Sequence, residues 1–544
     1  MPVLKVRGRD DGDTRAVPFA AGQSVRDILD VTGSRVRSGC NGTGACGLCR
    51  IRVTAGSAGT PTAREEYFID EALRAAGVRL ACQLVPAGDL EIEILNPAQK
   101  SAWRSIPPEE SCCLREPATA PGTRSEPGGG ASGGVQEFGI AVDIGTTQIS
   151  LSLLSLGTGR RLAGRCGRNP QGETGADVMT RLVAASGSPA RAREMSGLVV
   201  KAIGEGIHDI ASREGLDLNR VSRVALVGNT AMLALLSERN YALLTRPESW
   251  AGKIDCVPDD ACTCGWKAAW DIPPAASVSV LPPAGGFVGS DLLAGVLATG
   301  LAESTRPGLL IDFGTNSEIA LWDGGRLLAT SAAGGPAFEG CGIRCGLPAE
   351  PGAICRAWLS GENLGYETIA GERARGICGT GLVDSIACLV RSGILTGKGQ
   401  FASPYAGNRF IVAAGNPSLV LEKRDIDLFQ RAKAAVGAGI CVLMAEAGIG
   451  FSGLGQVFVG GAFGKSLDVG NACAIGLLPP VPPEKIELCG NTALAGCEFF
   501  LRSPRGDTEL REIRKEARVI NLARDPGFGE YFLENLFLRP MEAP

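Results

Sequence analysis

A single histidine, His208, serves a chain of 544 residues. So little imidazole excludes a Rieske centre, a His-rich metal site and a Ser-His-Asp triad, each of which needs histidine as ligand or base. His208 lies in the helical pattern of residues 202–210 and reads as a structural or exposed side chain rather than a catalytic one. No run of 18 apolar residues occurs, so no membrane-spanning helix is expected. The net charge is only −4, which offers no broad basic face to nucleic acid or to an anionic bilayer. The first residues, Met1 to Arg7, alternate like a strand and give no reason to expect a secretory leader.

Cysteine, in contrast, is plentiful. There are 19 copies, an odd number, and most sit inside apolar or glycine-rich segments. That usage fits buried thiols in a reducing cytoplasm better than a disulfide framework. With 44% apolar and 21% charged residues the chain has an ordinary globular composition, and its length suits roughly three or four domains.

Three of the cysteines, Cys40, Cys46 and Cys49, fall within ten residues in a C-x5-C-x2-C arrangement with glycines among them, and Cys82 follows later. A [2Fe–2S] cluster needs four thiolates, and a tight loop supplies three of them. Glycines let backbone N–H groups turn toward the inorganic sulfides. Structural zinc would ask for two separated C-x2-C pairs or for Cys/His sets, and only one such pair is present here. The surroundings read as one small α+β domain over residues 1–96. Strands are expected at 3–7, 14–19, 50–53 and 90–94, with a short helix from Ser24 to about Gly33 and another over 62–76. This order resembles the β-grasp ferredoxin fold, and the cysteine spacing resembles vertebrate-type and bacterial adrenodoxin-like ferredoxins.

Residues 97–135 are rich in Pro, Gly, Ser, Arg and Glu and read as a flexible linker. Gly128, Gly130 and Gly133 match G-x-G-x-x-G, but no hydrophobic strand precedes them, so no dinucleotide site is expected. Cys112 and Cys113 lie in the same stretch and read as incidental.

From about residue 137 the texture becomes strand, glycine turn, strand. Residues 138–153 carry Asp143, Gly145, Thr146 and Thr147 in the turn; residues 309–321 carry Asp312, Gly314, Thr315 and Asn316 at the equivalent places. The copies are 169 residues apart, a domain-sized duplication. Turn N–H groups and threonine hydroxyls hold phosphate oxygens, and an aspartate at a strand end orients Mg2+ or its waters. Two such hairpins across a cleft would grip a polyphosphate from both sides. They resemble the two phosphate motifs of the acetate kinase–sugar kinase–Hsp70–actin superfamily. Gly460, Gly461 and Ala462, after a buried strand, resemble its adenosine motif, and Asn229, after the strand ending at Gly228, sits where its first connecting motif would be. Gly379 and Thr380 should open a helix whose N–H groups are free for phosphate or ribose. Gly464-Lys465-Ser466 mimics the end of a Walker A loop, but the required first glycine falls on Val459, so the match fails.

Together, an N-terminal [2Fe–2S] domain, a linker and this duplicated ATP-binding architecture resemble the reductive activators of corrinoid proteins. The resemblance implies a β-grasp ferredoxin domain followed by a duplicated α/β actin-like ATPase, with subdomains at 136–305 and 306–500 and a C-terminal extension at 501–544. It implies that Cys40, Cys46, Cys49 and Cys82 ligate the cluster. It also implies that Asp143 and Asp312 act in catalysis, with ATP and Mg2+ as further cofactors, and that Gly145, Thr146, Thr147, Asn229, Gly314, Thr315, Asn316, Gly379, Thr380, Gly460, Gly461 and Ala462 line the nucleotide site. The implied activity is ATP-driven electron transfer from a low-potential donor through the cluster, converting Co(II) to Co(I) in the corrinoid protein of a methyltransferase system. The implied setting is the cytoplasm, with no nucleic acid or membrane partner and with a homodimer as the assembly. Because the chain offers almost no histidine as an axial ligand, the corrinoid should belong to the partner.

Other readings stay open at this stage. A small-molecule kinase with a fused redox-sensing ferredoxin domain would use the same superfamily fold. A non-enzymatic electron carrier would keep the cluster and let the nucleotide site decay. Activators of 2-hydroxyacyl-CoA dehydratases are related but lack the N-terminal ferredoxin and hold a cluster at a dimer interface. The nearest second thiol set here, Cys341, Cys345 and Cys355, reads as buried thiols.

Overall fold

The computed structural model describes residues 2–7, 14–30, 36, 44, 47–97, 103–106, 115, 137–175, 177–214, 216–361, 363–403, 409–414, 418–464 and 466–543. The expected cluster ligands Cys40 and Cys46, together with Cys112 and Cys113, lie outside the described residues.

The N-terminal head is a five-stranded sheet built from β1 (Val3–Arg7), β2 (Thr14–Pro18), β3 (Arg50–Gly56), β4 (Val78–Leu80) and β5 (Leu90–Ile94), in the order β2-β1-β5-β3-β4. β1 and β5 run parallel; the other pairs are antiparallel. Alternation in β5 turns Leu90, Ile92 and Ile94 to the core, and the helix Val25–Asp30 lays Val25, Ile28 and Leu29 over them. The single helix expected over 62–76 is instead two helices, Ala63–Phe68 and Glu71–Ala75. Asp70 ends the first turn run by accepting a hydrogen bond from Leu73 N at 2.8 Å, and so caps a new helix.

Two larger sheets follow. The first contains β6 (Trp103–Ile106), β7 (Phe138–Ile144), β8 (Gln148–Ser155), β9 (Arg161–Arg168), β10 (Val221–Gly228) and β11 (Ser277–Val280), in the order β11-β10-β7-β8-β9-β6. β6 falls inside the stretch whose composition reads as a linker. Its four residues pair with β9, and Trp103 is buried against Leu151 and its neighbours, which anchors this part of the chain to the sheet. Arg115, also within that stretch, lies over the ring of Phe499, 4.8 Å from its centroid, and donates to Glu509 at 2.8 Å.

The second sheet begins with β12 (Gly308–Phe313), β13 (Ser317–Trp322) and β14 (Leu327–Ala332). Two small sheets branch from it: β15 (Ala353–Ser360), β16 (Asn363–Thr368) and β17 (Gly376–Ile377) in one, β18 (Arg409–Ala413) and β19 (Leu419–Glu422) in the other. β20 (Gln456–Gly461), β21 (Ile486–Gly490) and β22 (Ala517–Val519) then complete the order β21-β20-β12-β13-β14-β22. The two large sheets therefore repeat one plan. An antiparallel meander of three strands is extended on one side by two parallel strands. β7 is buried on both faces, which matches its unbroken apolar run.

The lobes exchange helices. Ser290–Thr299, which follows β11, packs on Leu310 of β12, while Thr492–Arg502, which follows β21, packs on β7 and β10. Cys497 Sγ reaches Ala225 O at 3.3 Å, and the buried pair Arg161–Glu498 joins β9 to that helix at 2.7 Å. The two helices touch backbone to backbone: a Cβ on Gly496 would lie 1.9 Å from Ala294 O. The helix Lys423–Ala447 is long and apolar enough by composition to cross a bilayer, yet its apolar window is 83% buried within the second lobe.

Candidate functional site

The turns after β7 and β12 face each other across the cleft between the lobes. In the first, Gly145 N donates to Gln148 O at 2.9 Å, and a Cβ on Gly145 would come within 2.7 Å of that carbonyl, so the tight turn needs glycine. Asn229 caps the helix Thr230–Leu236 through Met232 N and with its amide donates to Thr146 Oγ1 at 2.9 Å. The Thr147 hydroxyl lies 3.0 Å from the Thr315 hydroxyl of the second turn, and both donate to Glu339, at 2.9 and 3.2 Å. Gly314 turns tightly over Asn316 O. Gly461 has φ +81° and packs its α-carbon on the carbonyl of Phe313; Ala462 N donates to the same carbonyl, and Gly460 pairs with Asp312 in the β12–β20 register. Gly460, Gly461 and Ala462 thus adjoin the second hairpin. Gly379 abuts Phe338 O, one residue from Glu339, but the Thr380 hydroxyl is engaged by Cys355 O at 2.9 Å and packs rather than faces the hairpins.

Carboxylates gather at the base of this cleft. Asp143 accepts from Asn491 at 2.8 Å, and burial pushes its pKa up to about 7, against the pull of Asn491. Burial raises Asp312 to about 6, although Thr492 donates to it at 3.4 Å. Asp291 and Glu318 are raised further, first by burial and then by neighbouring carboxylates: Asp143 and Asp312 act on Asp291, and Asp291 and Asp312 act on Glu318. Dehydrated acids that repel one another are a donor set a divalent cation would relieve. Among the described residues no three acidic or thiol side chains lie close enough to hold one metal ion together. That suits Mg2+, which takes one or two carboxylates and fills its shell with phosphate oxygens and waters.

In the head, Cys49 is buried and its carbonyl accepts from Ala81 N at 2.8 Å, which brings the segment of Cys82 beside it. Gly47 has φ +66° and its α-carbon presses on the Phe68 ring, a position where any Cβ would overlap the ring. One expected ligand, Cys49, thus ends a glycine-shaped turn, and the segment that carries a second, Cys82, is hydrogen-bonded beside it, which fits a [2Fe–2S] cluster. The head rests on the second lobe through this region. The Arg50 guanidinium donates to Gly47 O, Phe68 O and Arg344 O at 3.3, 3.1 and 3.4 Å. Leu48 packs on Cys341. The Tyr67 hydroxyl donates to Asp425 at 3.4 Å, and the Arg424 guanidinium stacks 3.7 Å from the centre of the Tyr67 ring.

Sequence reasoning gives no role to Asp291 or Glu339, which the segments 285–291 and 331–340 bring to the cleft. It passes over Asn491 and Thr492 entirely. The signal was present: Gly-Asn-Thr-Ala at 228–231 recurs at 490–493, each time at a junction of strand end and helix start that faces the cleft. His208 is half-exposed and pairs with Asp271 at 3.0 Å, away from both sites.

Residues 306–543 match the family pattern described as the C-terminal domain of RACo, the ASKHA domain. Residues 138–304 match the RACo middle region, and residues 9–87 match the 2Fe-2S iron–sulfur cluster binding domain. The chain is 32% identical over 419 residues to the corrinoid activation enzyme RamQ of Eubacterium limosum, covering 73% of this chain and 70% of that one. It is 28% identical over 430 residues to the [Co(II) methylated amine-specific corrinoid protein] reductase of Methanosarcina barkeri, covering 73% and 76%. A solved structure titled reductive activator for corrinoid, iron–sulfur protein matches at 26% identity with a TM-score of 0.67, over 100% of this chain and 99% of that one.

Proposed function

The chain belongs to the RACo family of reductive activators of corrinoid proteins, and from that premise we propose how its residues divide the work. It is an ATP-dependent iron–sulfur reductase that acts on a corrinoid protein, adding one electron to Co(II) to give Co(I). A [2Fe–2S] cluster supplies a one-electron relay when bound. In this reading Cys40, Cys46, Cys49 and Cys82 hold it, and the Ala81–Cys49 hydrogen bond supports the pairing of the last two.

The observation that carries the ATP reading is the meeting of Thr147 and Thr315 at 3.0 Å from opposite lobes. Their hydroxyls, with Thr146, Asn316 and the N–H groups around Gly145 and Gly314, donate to phosphate oxygens. Asn229 aims the Thr146 hydroxyl. Asp143 and Asp312 would hold Mg2+ and orient the attacking water. Gly460, Gly461 and Ala462 adjoin the second hairpin and would line the adenosine side of the site, with Gly379 near Glu339. Reduction of Co(II) is uphill for ordinary donors, so hydrolysis must drive a change of state. Nucleotide binding in the cleft would drive that change, altering how the head and the corrinoid partner meet.

The finer setting follows from the same reading. The partner is the corrinoid protein of a methyltransferase system, the donor is a low-potential reductant, and the compartment is the cytoplasm, where buried thiols stay reduced. Along the chain this reading divides it into the head at 1–96, a linker at 97–135, lobes at 136–305 and 306–500 and an extension at 501–544. A homodimer is the assembly, which light scattering on the purified protein reads directly.

The test is anaerobic and optical. Purified protein, a low-potential reductant, Mg-ATP and a Co(II) corrinoid protein of the same cell are mixed, and the corrinoid spectrum is followed. Co(I) should form only with ATP and be lost in Cys82→Ser and Asp312→Asn. ATP hydrolysis without cobalt reduction, with transfer of phosphate to a metabolite, would favour a kinase with a fused ferredoxin instead.

A further inference from the structure

One segment, residues 336–347, joins the nucleotide cleft to the cluster head. At its cleft end, the Glu339 carboxylate accepts from Thr147 Oγ1 of one lobe at 2.9 Å and from Thr315 Oγ1 of the other at 3.2 Å. These are the hydroxyls assigned above to phosphate, and an anionic group with two acceptor oxygens stands where a phosphate would stand. Carboxylate and phosphate cannot both take the two donors, and their like charges repel across a poorly hydrated gap.

The chain beyond Glu339 transmits such a displacement. Gly340 has φ +78°, and a Cβ on it would lie 2.7 Å from Leu347 N; a Cβ on Gly346 would lie 2.0 Å from Gly340 O. The loop 340–346 is thus closed at its base by close backbone contact of Gly340 with Gly346 and Leu347. Its tip carries the head. Cys341 packs on Leu48, and Arg344 O accepts from Arg50, which also holds the Gly47 carbonyl of the cluster loop. Arg344 N donates at 2.8 Å to Asp425, the carboxylate that accepts from Tyr67.

We propose that Glu339 is a nucleotide sensor: its carboxylate takes the two threonine donors that a phosphate would take, and its displacement by nucleotide phosphate shifts loop 340–346 and unseats the cluster head from the second lobe. The seat consists of few hydrogen bonds, and losing one or two of them changes a docking equilibrium by about ten-fold. Seated, the head presents the cluster loop to Cys341 and Arg344; unseated, it presents that face to a partner. The inference rests on the ATP reading of the cleft.

Binding linkage makes it testable. If nucleotide unseats the head, loosening the head must tighten nucleotide by the same factor. The probe is the non-hydrolysable analogue AMPPNP with Mg2+, added to the cluster-loaded full chain under anaerobic conditions. Calorimetry gives its Kd, and hydrogen–deuterium exchange follows peptides covering 47–50, 65–69 and 341–345. In the wild type the analogue should speed exchange in all three by about five-fold or more. Glu339→Ala should show the fast exchange without analogue and bind the analogue several-fold more tightly. Arg424→Ala, an exposed change on the head-facing surface remote from the cleft, should also tighten it. Weaker binding in Glu339→Ala would make Glu339 an ordinary phosphate-site residue and overturn the proposal, as would an unchanged Kd in Arg424→Ala with loosened head peptides. A wild-type chain that binds no analogue overturns the cleft reading and this inference with it. The visible spectrum of the cluster confirms that each variant is folded in the head.

Discussion

Asn491 donates to Asp143 at 2.8 Å from the N-cap of a helix that belongs to the opposite lobe. That helix packs on β7 and β10, so the contact ties the end of β21 to the end of β7 within one shared core. Asn491→Ala removes both the cap and the only side-chain donor that pulls the Asp143 pKa down. The expected result is about 1 kcal/mol less stability and a roughly ten-fold or greater fall in ATP hydrolysis, because more of Asp143 is protonated at neutral pH. Asp143→Asn and Asp312→Asn should each lower hydrolysis by about 100-fold or more. In all three the cluster absorbance should be unchanged, which a steady-state phosphate assay beside a visible spectrum checks.

The cleft carboxylates also predict a proton count. Their pKa values lie above the unfolded value of 3.8, at about 7 for Asp143 and about 6 for Asp312. The folded chain therefore binds more protons than the unfolded one between about pH 4 and pH 7, and the contribution of these groups to stability falls as pH rises through that window. A cation needs them ionised. Mg-nucleotide binding near pH 7 should release protons, and its affinity should rise from pH 6 to pH 8. Calorimetry in buffers of different ionisation enthalpy reads the release directly; no buffer dependence would mean that these acids do not meet the cation.

Lys433 is 1% exposed in the helix Lys423–Ala447, with Gly476 O at 3.4 Å as its acceptor. Burial, the dominant cause, lowers its pKa from 10.5 to about 7. Between pH 7 and 10.5 the unfolded chain holds a proton that the folded chain has released, so this lysine makes stability rise with pH across the window, by up to about 5 kcal/mol. Lys433→Met should flatten that rise and stabilise the lobe near and below pH 7, as denaturant midpoints at several pH values would show.

In the head, Arg79 and Glu65 form a buried pair at 2.8 Å, and Glu65 also accepts from Leu80 N and from Thr62 N. Arg79→Met would leave a buried carboxylate without its counter-charge, at a cost of about 3–5 kcal/mol. Since Leu80 leads directly to Cys82, the same change should bleach the cluster at a lower temperature while leaving nucleotide binding intact.

Much of this architecture was legible in the residues themselves. Alternation marked the strands of the head, and two Asp-x-Gly-Thr turns 169 residues apart marked the duplicated lobes. The failures have local causes. The helix over 62–76 was cut by Asp70, whose side chain competes for backbone N–H groups in a way that an apolar period does not reveal. β6 hid in a stretch of linker-like composition because four residues are too few to show a period. Glu339, Asp291 and Asn491 could not be assigned roles because each works through a contact made more than 60 residues away or across the lobes, which spacing along the chain does not encode. The head's seat on the second lobe, from Arg50 to Arg344, was invisible for the same reason.

The exchanged helices set what counts as a folding unit. Because Thr492–Arg502 fills the face of β7 and β10, and Ser290–Thr299 lies on β12, one apolar core runs through both lobes. Cutting the chain near residue 305, where the two family patterns meet, would strip that core from each half. The body of the molecule should therefore melt as one cooperative block, and its lobes are inheritances of duplication rather than independent domains.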